Sequence, residues 1–71
     1  MKRKLYINGM SCMHCVKRVQ NALNEIDGVA EATVDLNGNY AVVELKKIIS
    51  DELLKKAVKD AGYEVINIET P

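Results

Sequence analysis

Aromatic side chains and net charge are both scarce in this sequence. Tryptophan and phenylalanine are absent, tyrosine supplies all three aromatic residues, and ten basic side chains balance ten acidic ones. Proteins that bind single-stranded nucleic acid stack bases on aromatic rings and attract the phosphate backbone with positive charge. We therefore expect no nucleic-acid partner for this chain.

Long apolar runs are also missing. No stretch approaches the roughly 20 apolar residues that span a bilayer. The basic start MKRKLYINGM lacks the apolar core and the small-residue cleavage site of a signal peptide. We expect a cytoplasmic protein with no membrane-inserted segment, in which thiols stay reduced. At 71 residues, the chain is predicted to form one small domain over residues 1–71.

Two segments show the apolar spacing of amphipathic helices. One runs from Met13 to about Glu25, and the other follows Ser50. Ser11 is a candidate N-cap for the first helix and Asp27-Gly28 a candidate stop, while Ser50 is a candidate N-cap for the second. The positions predicted to be buried are Val16, Val19, Leu23 and Ile26 in the first helix, and Leu54, Ala57, Val58 and Ala61 in the second.

Four shorter segments alternate apolar and polar residues, which is typical of strands with one buried face. NGN at residues 37–39 is a hairpin signal between the second and third. The segments are KLYIN (4–8), VAEATVDL (29–36), YAVVEL (40–45) and YEVINIE (63–69), with Ala30, Ala32, Val34 and Leu36 on one face of the second. With right-handed crossovers, this order predicts an α+β ferredoxin-like βαββαβ sandwich, in which two helices cover one face of a four-stranded antiparallel sheet.

The only two cysteines stand in GMSCMHC, residues 9–15, between the first predicted strand and the first predicted helix. Cys12 falls in the loop and Cys15 in the first helical turn, where unpaired N–H groups and the helix dipole stabilise a thiolate. Structural zinc prefers four ligands, and the chain offers only His14 besides this pair. Soft thiolates select Cu(I). Ag(I), Hg(II) and Cd(II) are thiophilic too, so the residues alone leave the choice of soft ion open.

Other uses of the cysteine pair are also open. A structural disulfide across so short a loop would remove little entropy from the unfolded chain, and an unliganded surface dithiol would have no metal role. A thiol oxidoreductase would use Cys12 as the nucleophile and Cys15 as the resolving thiol. Against that enzyme, the chain is short for a thioredoxin fold, and its only proline is Pro71. We expect a metal-binding protein rather than an enzyme.

The cysteine motif and its surroundings resemble one known family. GMSCMHC, followed by Val19, Leu23, Gly28-Val29 and AGYEV at residues 61–65, is similar to the heavy-metal-associated domain, whose pattern is Gly-Met-x-Cys-x-x-Cys. The resemblance covers nearly the whole chain, and within the family it is greatest to bacterial copper chaperones of the CopZ type.

The resemblance implies a function and a set of residue roles. One Cu(I) would be held by Cys12 and Cys15 and handed to a metal-binding domain of a copper-transporting P-type ATPase or to a copper-responsive repressor. On the matching positions, Met10 would be a buried support of the metal loop rather than a ligand. Tyr63 would be a loop residue beside the site.

Three polar residues near the motif complete the candidate site. His14, between the cysteines, is expected to be exposed and could serve as an occasional extra ligand or tune the thiolates. Lys17 and Arg18 form either a solvated helix face or a contact for an acidic partner. We expect a free-standing chaperone that is monomeric without metal and could form a metal-bridged dimer. An isolated N-terminal domain of a heavy-metal ATPase is the alternative.

Overall fold

The structure is a computed structural model that describes residues 1–70. Its four strands and two helices follow one another in the predicted order. The elements are β1 (Lys2–Asn8), α1 (Met13–Asn24), β2 (Val29–Asp35), β3 (Tyr40–Leu45), α2 (Asp51–Asp60) and β4 (Glu64–Glu69). The strand order is β2-β3-β1-β4, and every neighbouring pair is antiparallel. The predicted ferredoxin-like fold is confirmed. Neither helix within residues 1–70 has the length and apolar character needed to cross a bilayer.

The core lies between the sheet and the two helices. α1 packs on β2, α2 packs on β4, and the helices contact each other. Fully buried side chains come from the two central strands and from both helices: Leu5, Ile7, Val43, Val19, Leu23, Leu54 and Val58. Because burying one such side chain contributes roughly 1.5–3 kcal/mol, this cluster holds the end of β1 and the start of α1 in fixed positions. The loop that joins them carries Cys12, and the first turn of α1 carries Cys15.

The other face of the sheet carries a small aromatic cluster. Lys4 Nζ lies 4.3 Å from the centre of the Tyr40 ring and 5.1 Å from the centre of the Tyr6 ring. The two rings meet edge to face, with their centres 6.5 Å apart. Cation–π contacts of this kind stabilise exposed sites by about 0.5–1 kcal/mol. Two of the three tyrosines are therefore engaged with each other and with Lys4 on the helix-free face.

α1 starts at Met13 as predicted, but its N-cap residue differs from the prediction. Cys12, not Ser11, is the N-cap residue, and its side chain makes no capping hydrogen bond. The Cys12 backbone is extended, and its carbonyl accepts hydrogen bonds from the N–H groups of Cys15 (3.0 Å) and Val16 (3.2 Å). The helix thus begins one residue later than a serine cap would place it, which leaves the thiol of the N-cap residue free.

Two further predictions about this half of the chain are wrong. α1 ends at Asn24 with Glu25 as its C-cap, so the Asp27-Gly28 pair forms the turn before β2 rather than the helix stop. Ala30 is exposed, because the pairing of β2 with β3 shifts register between Val29 and Glu31. A bulge adds one residue to a strand and reverses the faces on either side of it. Val29 is buried instead, and Ala32 is buried as predicted.

The second helix begins as predicted. The Ser50 hydroxyl oxygen accepts a hydrogen bond from the Leu53 N–H at 3.4 Å, and two acidic residues occupy the first turn. Leu54 and Val58 are fully buried, while Ala57 and Ala61 at the flanks are half-buried. Gly62 follows the helix with a φ of +99°, a conformation that glycine adopts without strain. This turn sends the chain through Tyr63 into β4.

Candidate metal centre

The two thiols lie close together at one end of the molecule. Cys12 is exposed at the N-cap of α1, Cys15 is half-buried in the first turn, and both are free. Their Sγ atoms are 3.6 Å apart, well beyond the roughly 2.05 Å of a disulfide. The spacing of three residues brings them together because residues i and i+3 share one face of a helix.

The surroundings of Cys15 favour its thiolate. They lower the pKa of the Cys15 thiol from its ordinary value of 9.0 to about 6. The Tyr63 hydroxyl, a potential donor to the thiolate, makes the largest contribution, followed by the Ser11 backbone N–H. Partial burial acts in the opposite direction, and the thiol and N–H of Cys12 lower the pKa slightly further. At neutral pH these contacts therefore favour the thiolate form of Cys15.

Tyr63 lies beside Gly9 of the cysteine loop. Gly9 has a φ of +98°, and a Cβ at this position would stand 3.5 Å from the Tyr63 ring. The chain thus turns sharply after β1 and brings the loop beside the α2–β4 turn. The hydrogen bond that the Tyr63 hydroxyl can donate to Cys15 raises the pKa of Tyr63, while the Arg18 guanidinium acts against that shift. Arg18 is therefore close to the site.

The remaining predicted site residues fall on two sides of the loop. Met10 is only 6% exposed and belongs to the apolar core, a position that suits the predicted support of the loop. His14, Lys17 and Arg18 are all exposed on α1. The structure thus brings Cys12, Cys15 and Tyr63 together and buries Met10 beneath them; the functional roles remain predictions.

The site is open. Within residues 1–70, no three His, Cys, Asp or Glu side chains are grouped so that they could hold one metal ion. Structural zinc sites close with four ligands, whereas Cys12 and Cys15 supply two sulfurs. An ion held here keeps part of its coordination sphere accessible to a ligand from another molecule.

Removal of the Tyr63 hydroxyl should raise the pKa of Cys15 from about 6 toward 9.0, so Tyr63→Phe should slow alkylation of Cys15 at pH 7. A folded-state pKa below the unfolded one means that ionisation of Cys15 stabilises the apo protein. That stabilisation is complete above about pH 9 and is lost as the pH falls through about 6. The melting temperature should therefore rise less between these pH values in Tyr63→Phe than in the parent.

The measurement is the pH profile of iodoacetamide alkylation of Cys15, read by peptide mass spectrometry. Tyr6→Phe is the matched control, because the Tyr6 hydroxyl donates to Glu69 on the far side of the sheet. An identical alkylation profile in Tyr63→Phe and the parent would show that the hydroxyl does not stabilise the thiolate.

Sequence reasoning missed two contributors to this site. The Ser11 backbone N–H acts on Cys15, and a backbone donor leaves no mark in residue type. Arg18 was interpreted as part of a solvated helix face or as a partner contact, although it also lies near Tyr63. The position of Arg18 in the sequence, four residues after His14, does not indicate that it lies near Tyr63, because Tyr63 belongs to the α2–β4 turn, which is distant along the chain.

Comparison with known proteins shows which family has this sequence and this fold. Residues 4–64 match the heavy-metal-associated domain. The chain is 43% identical over 63 residues to a copper chaperone CopZ of Staphylococcus aureus, covering 87% of this chain and 93% of that protein. A solved CopZ metallochaperone superimposes with a TM-score of 0.87 at 37% identity, covering 93% of this chain and 100% of the other. A copper binding domain from the P-type ATPase HMA7 gives 0.85 at 31% identity, covering 99% and 100%. The chain belongs to the heavy-metal-associated domain family.

Proposed function

We propose that this protein is a cytoplasmic copper chaperone that binds one Cu(I) through the thiolates of Cys12 and Cys15. The observation that supports this most directly is the pair of free sulfurs 3.6 Å apart at the start of α1. Because the pKa of Cys15 is lowered to about 6, the thiolate of this residue is favoured at neutral pH before any metal binds. The protein acts as a carrier and not as an enzyme.

The sulfur separation is compatible with one metal ion, and the number of ligands favours a soft ion. Metal–thiolate bonds of about 2.3 Å, the length found for zinc, would bridge a 3.6 Å separation with an S–metal–S angle of roughly 100°. A linear arrangement would need the sulfurs about 1 Å further apart, and Cys12 is exposed at the helix cap, where its side chain has room to turn. Two-coordinate and three-coordinate sulfur sites suit Cu(I) better than zinc.

The relatives support the choice of metal and of partner. CopZ of Staphylococcus aureus is named as a copper chaperone, and the similar HMA7 domain is described as a copper binding domain of a P-type ATPase. A copper binding domain of the same fold that supplied a further ligand could share the ion with this chain during transfer. We infer that the acceptor is the metal-binding domain of a copper-transporting P-type ATPase or a copper-responsive repressor.

Competition for metal under anaerobic conditions tests the proposal. The apo protein is titrated into Cu(I) held by a chromophoric chelator, and zinc is run in parallel with a zinc indicator. We expect tight binding of one Cu(I) per chain and zinc binding weaker by orders of magnitude, because two thiolates leave zinc two ligands short. Zinc affinity equal to or above that for Cu(I) would contradict the proposal.

The similarity to the HMA7 domain favours a second candidate: this chain as a metal-binding domain of a heavy-metal ATPase. The two functions differ in the size of the native protein. An immunoblot of cell extract should show a band near the 7.9 kDa of this chain if it is a free-standing chaperone. A membrane-associated band many times larger would identify the ATPase domain instead.

A further inference from the structure

The dipeptide Asn-Gly occurs twice in this chain, at Asn8-Gly9 and at Asn37-Gly38. This dipeptide is prone to deamidation, in which the backbone nitrogen of the second residue attacks the side-chain amide of the first. Glycine favours the attack because it has no Cβ to obstruct ring closure and its backbone rotates freely. Both asparagines are exposed. Because the two dipeptides are identical, a large difference in their reactivity has to come mainly from their surroundings.

The fold protects the Asn37-Gly38 dipeptide. The attacking atom there would be the Gly38 nitrogen, and its N–H donates a hydrogen bond to Asp35 Oδ1 at 3.3 Å. The Asn37 N–H donates to the same oxygen at 3.0 Å, and the Tyr40 ring lies directly against Gly38. A carboxylate in this position opposes the negative charge that the Gly38 nitrogen must acquire before it attacks.

The Asn8-Gly9 dipeptide is held much less firmly. Asn8 is the last residue of β1 and pairs with Glu64, while Gly9 lies beyond the end of the strand. The Gly9 N–H donates to no backbone carbonyl among residues 1–70. To bring its nitrogen to the Asn8 side chain, the chain has to open only the terminal pair of the ladder, and such ends open at little cost.

The groove beside Asn8 is positively charged. Asn8 and Gly9 line an open groove of about 810 Å³ together with Lys55 and Lys59 of α2. Glu64 is the only acidic residue of that lining, and within the part of the chain that the structure describes neither lysine is in an ion pair. Nearby cations stabilise the nitrogen anion and the oxyanion that form during the attack. The two dipeptides therefore have opposite electrostatic surroundings.

We propose that Asn8 is a site of spontaneous deamidation whose only co-reactant is water. The Gly9 nitrogen loses its proton to solvent and bonds to the Asn8 Cγ, and the side-chain nitrogen of Asn8 leaves as ammonia. Water then opens the resulting succinimide ring at either carbonyl carbon, which gives aspartate or isoaspartate at position 8. The net change converts one amide into one carboxyl group, with one water consumed and one ammonia released.

The isoaspartate product should disturb the cysteine loop. Its main chain runs through the former side chain, so one additional carbon separates residues 8 and 9. Gly9 has a φ of +98°, and a Cβ on it would stand only 3.5 Å from the Tyr63 ring, so a shift of Gly9 changes both the entry to the loop and its packing on Tyr63. The aspartate product keeps the normal main chain. This consequence for the metal rests on the proposed function, whereas the deamidation itself does not.

Peptide mapping of aged apo protein tests the site. The protein is kept folded in mildly alkaline, reducing buffer at physiological temperature. Tryptic peptides 5–17 and 19–46, which carry Asn8 and Asn37 respectively, are followed by mass spectrometry. Asn8 should deamidate at least about fivefold faster than Asn37. In concentrated urea the two rates should agree within about twofold, because unfolding separates each dipeptide from its charged neighbours.

Charge variants test the cause of the difference. Lys55→Gln combined with Lys59→Gln should slow the deamidation of Asn8 about threefold. Lys46→Gln combined with Lys56→Gln is the matched control, because it removes the same charge at residues that do not line the groove. Asp35→Ala should speed the deamidation of Asn37. Equal rates at Asn8 and Asn37 in the folded protein would overturn the proposal, as would a rate ratio unchanged in urea or a Lys55 and Lys59 variant that matches the parent.

Competition for Cu(I) tests the consequence. Ion exchange isolates the deamidated protein by its added negative charge, and Asn8→Asp supplies the aspartate product alone. The isoaspartate share should bind Cu(I) at least about tenfold more weakly than the unmodified protein, while Asn8→Asp should stay within about twofold. Equal affinity in all three forms would show that the loop tolerates the extra carbon and would overturn the predicted damage. If the unmodified protein itself failed to bind Cu(I), the proposed function would fail, and the deamidation rates would still decide whether Asn8 is the site.

Discussion

Replacement of either Cys12 or Cys15 by serine is expected to abolish tight Cu(I) binding and to leave the fold intact. Each substitution removes one of two sulfur ligands from a soft ion, and a hydroxyl is a poor substitute for a thiolate. Neither sulfur is a major part of the core, because Cys12 is exposed and Cys15 is half-buried at its edge. Substitutions at such positions usually change stability by less than about 1 kcal/mol.

Chelator competition and circular dichroism measure the two halves of this expectation. Affinity for Cu(I) should fall by orders of magnitude in both variants, while the far-ultraviolet spectrum matches that of the parent. Ser11→Ala is the matched control in the same loop, since alanine keeps the backbone N–H that acts on Cys15. Tight one-to-one copper binding in either cysteine variant would exclude the two-thiolate site.

Local patterns were sufficient to predict the fold. Alternation in the strands and the three-and-four spacing in the helices follow from the geometry of each element, and Ser50 marks the start of α2 as expected. The order of the elements then restricts the topology to very few arrangements. The placement of Cys15 in the first turn of α1 followed from the same reasoning.

The wrong predictions concern backbone details that residue type does not specify. Ser11 is a better N-cap than cysteine by preference, but the chain enters α1 from Gly9 at a positive φ and places Cys12 at the cap. Ala30 has the same apolar character as Ala32, yet the bulge at Val29–Glu31 turns it outward. Both outcomes depend on how strands and loops meet in three dimensions.

The effect of Tyr63 on the Cys15 thiolate could not be predicted from the spacing of residues in the sequence. Tyr63 lies in the turn after α2, and only the folded sheet places that turn beside the β1–α1 loop. The sequence motif identified the sulfurs because they are neighbours in the chain. The group that most lowers the pKa of Cys15 is a neighbour only in space.

Copper should leave this protein by direct exchange with its acceptor and not through solution. A carrier must hold the ion tightly enough to keep free copper negligible and still release it quickly. These demands are compatible if an acceptor thiolate binds the ion before Cys12 or Cys15 lets go, as in thiol–disulfide exchange through a shared intermediate. The open two-sulfur site permits that third ligand. Transfer should then be faster than spontaneous dissociation by orders of magnitude.

Charge on α1 should affect the rate of encounter. Lys17→Glu combined with Arg18→Glu should slow association with an acidic acceptor and should reduce the salt dependence of the rate, because surface charges act mainly on diffusion-controlled encounter. Lys2→Glu combined with Lys46→Glu is the matched control. It makes the same change in net charge with two exposed residues at the opposite end of the sheet.

Stopped-flow transfer at several acceptor concentrations distinguishes the two routes. In direct exchange the observed rate rises in proportion to acceptor concentration at the low end, and only the α1 charge variant lowers the slope. Release through solution would instead give one rate at all acceptor concentrations, equal to the rate of loss to an excess of chelator. That result would rule out handover, since the acceptor would only be collecting copper that the carrier had already released.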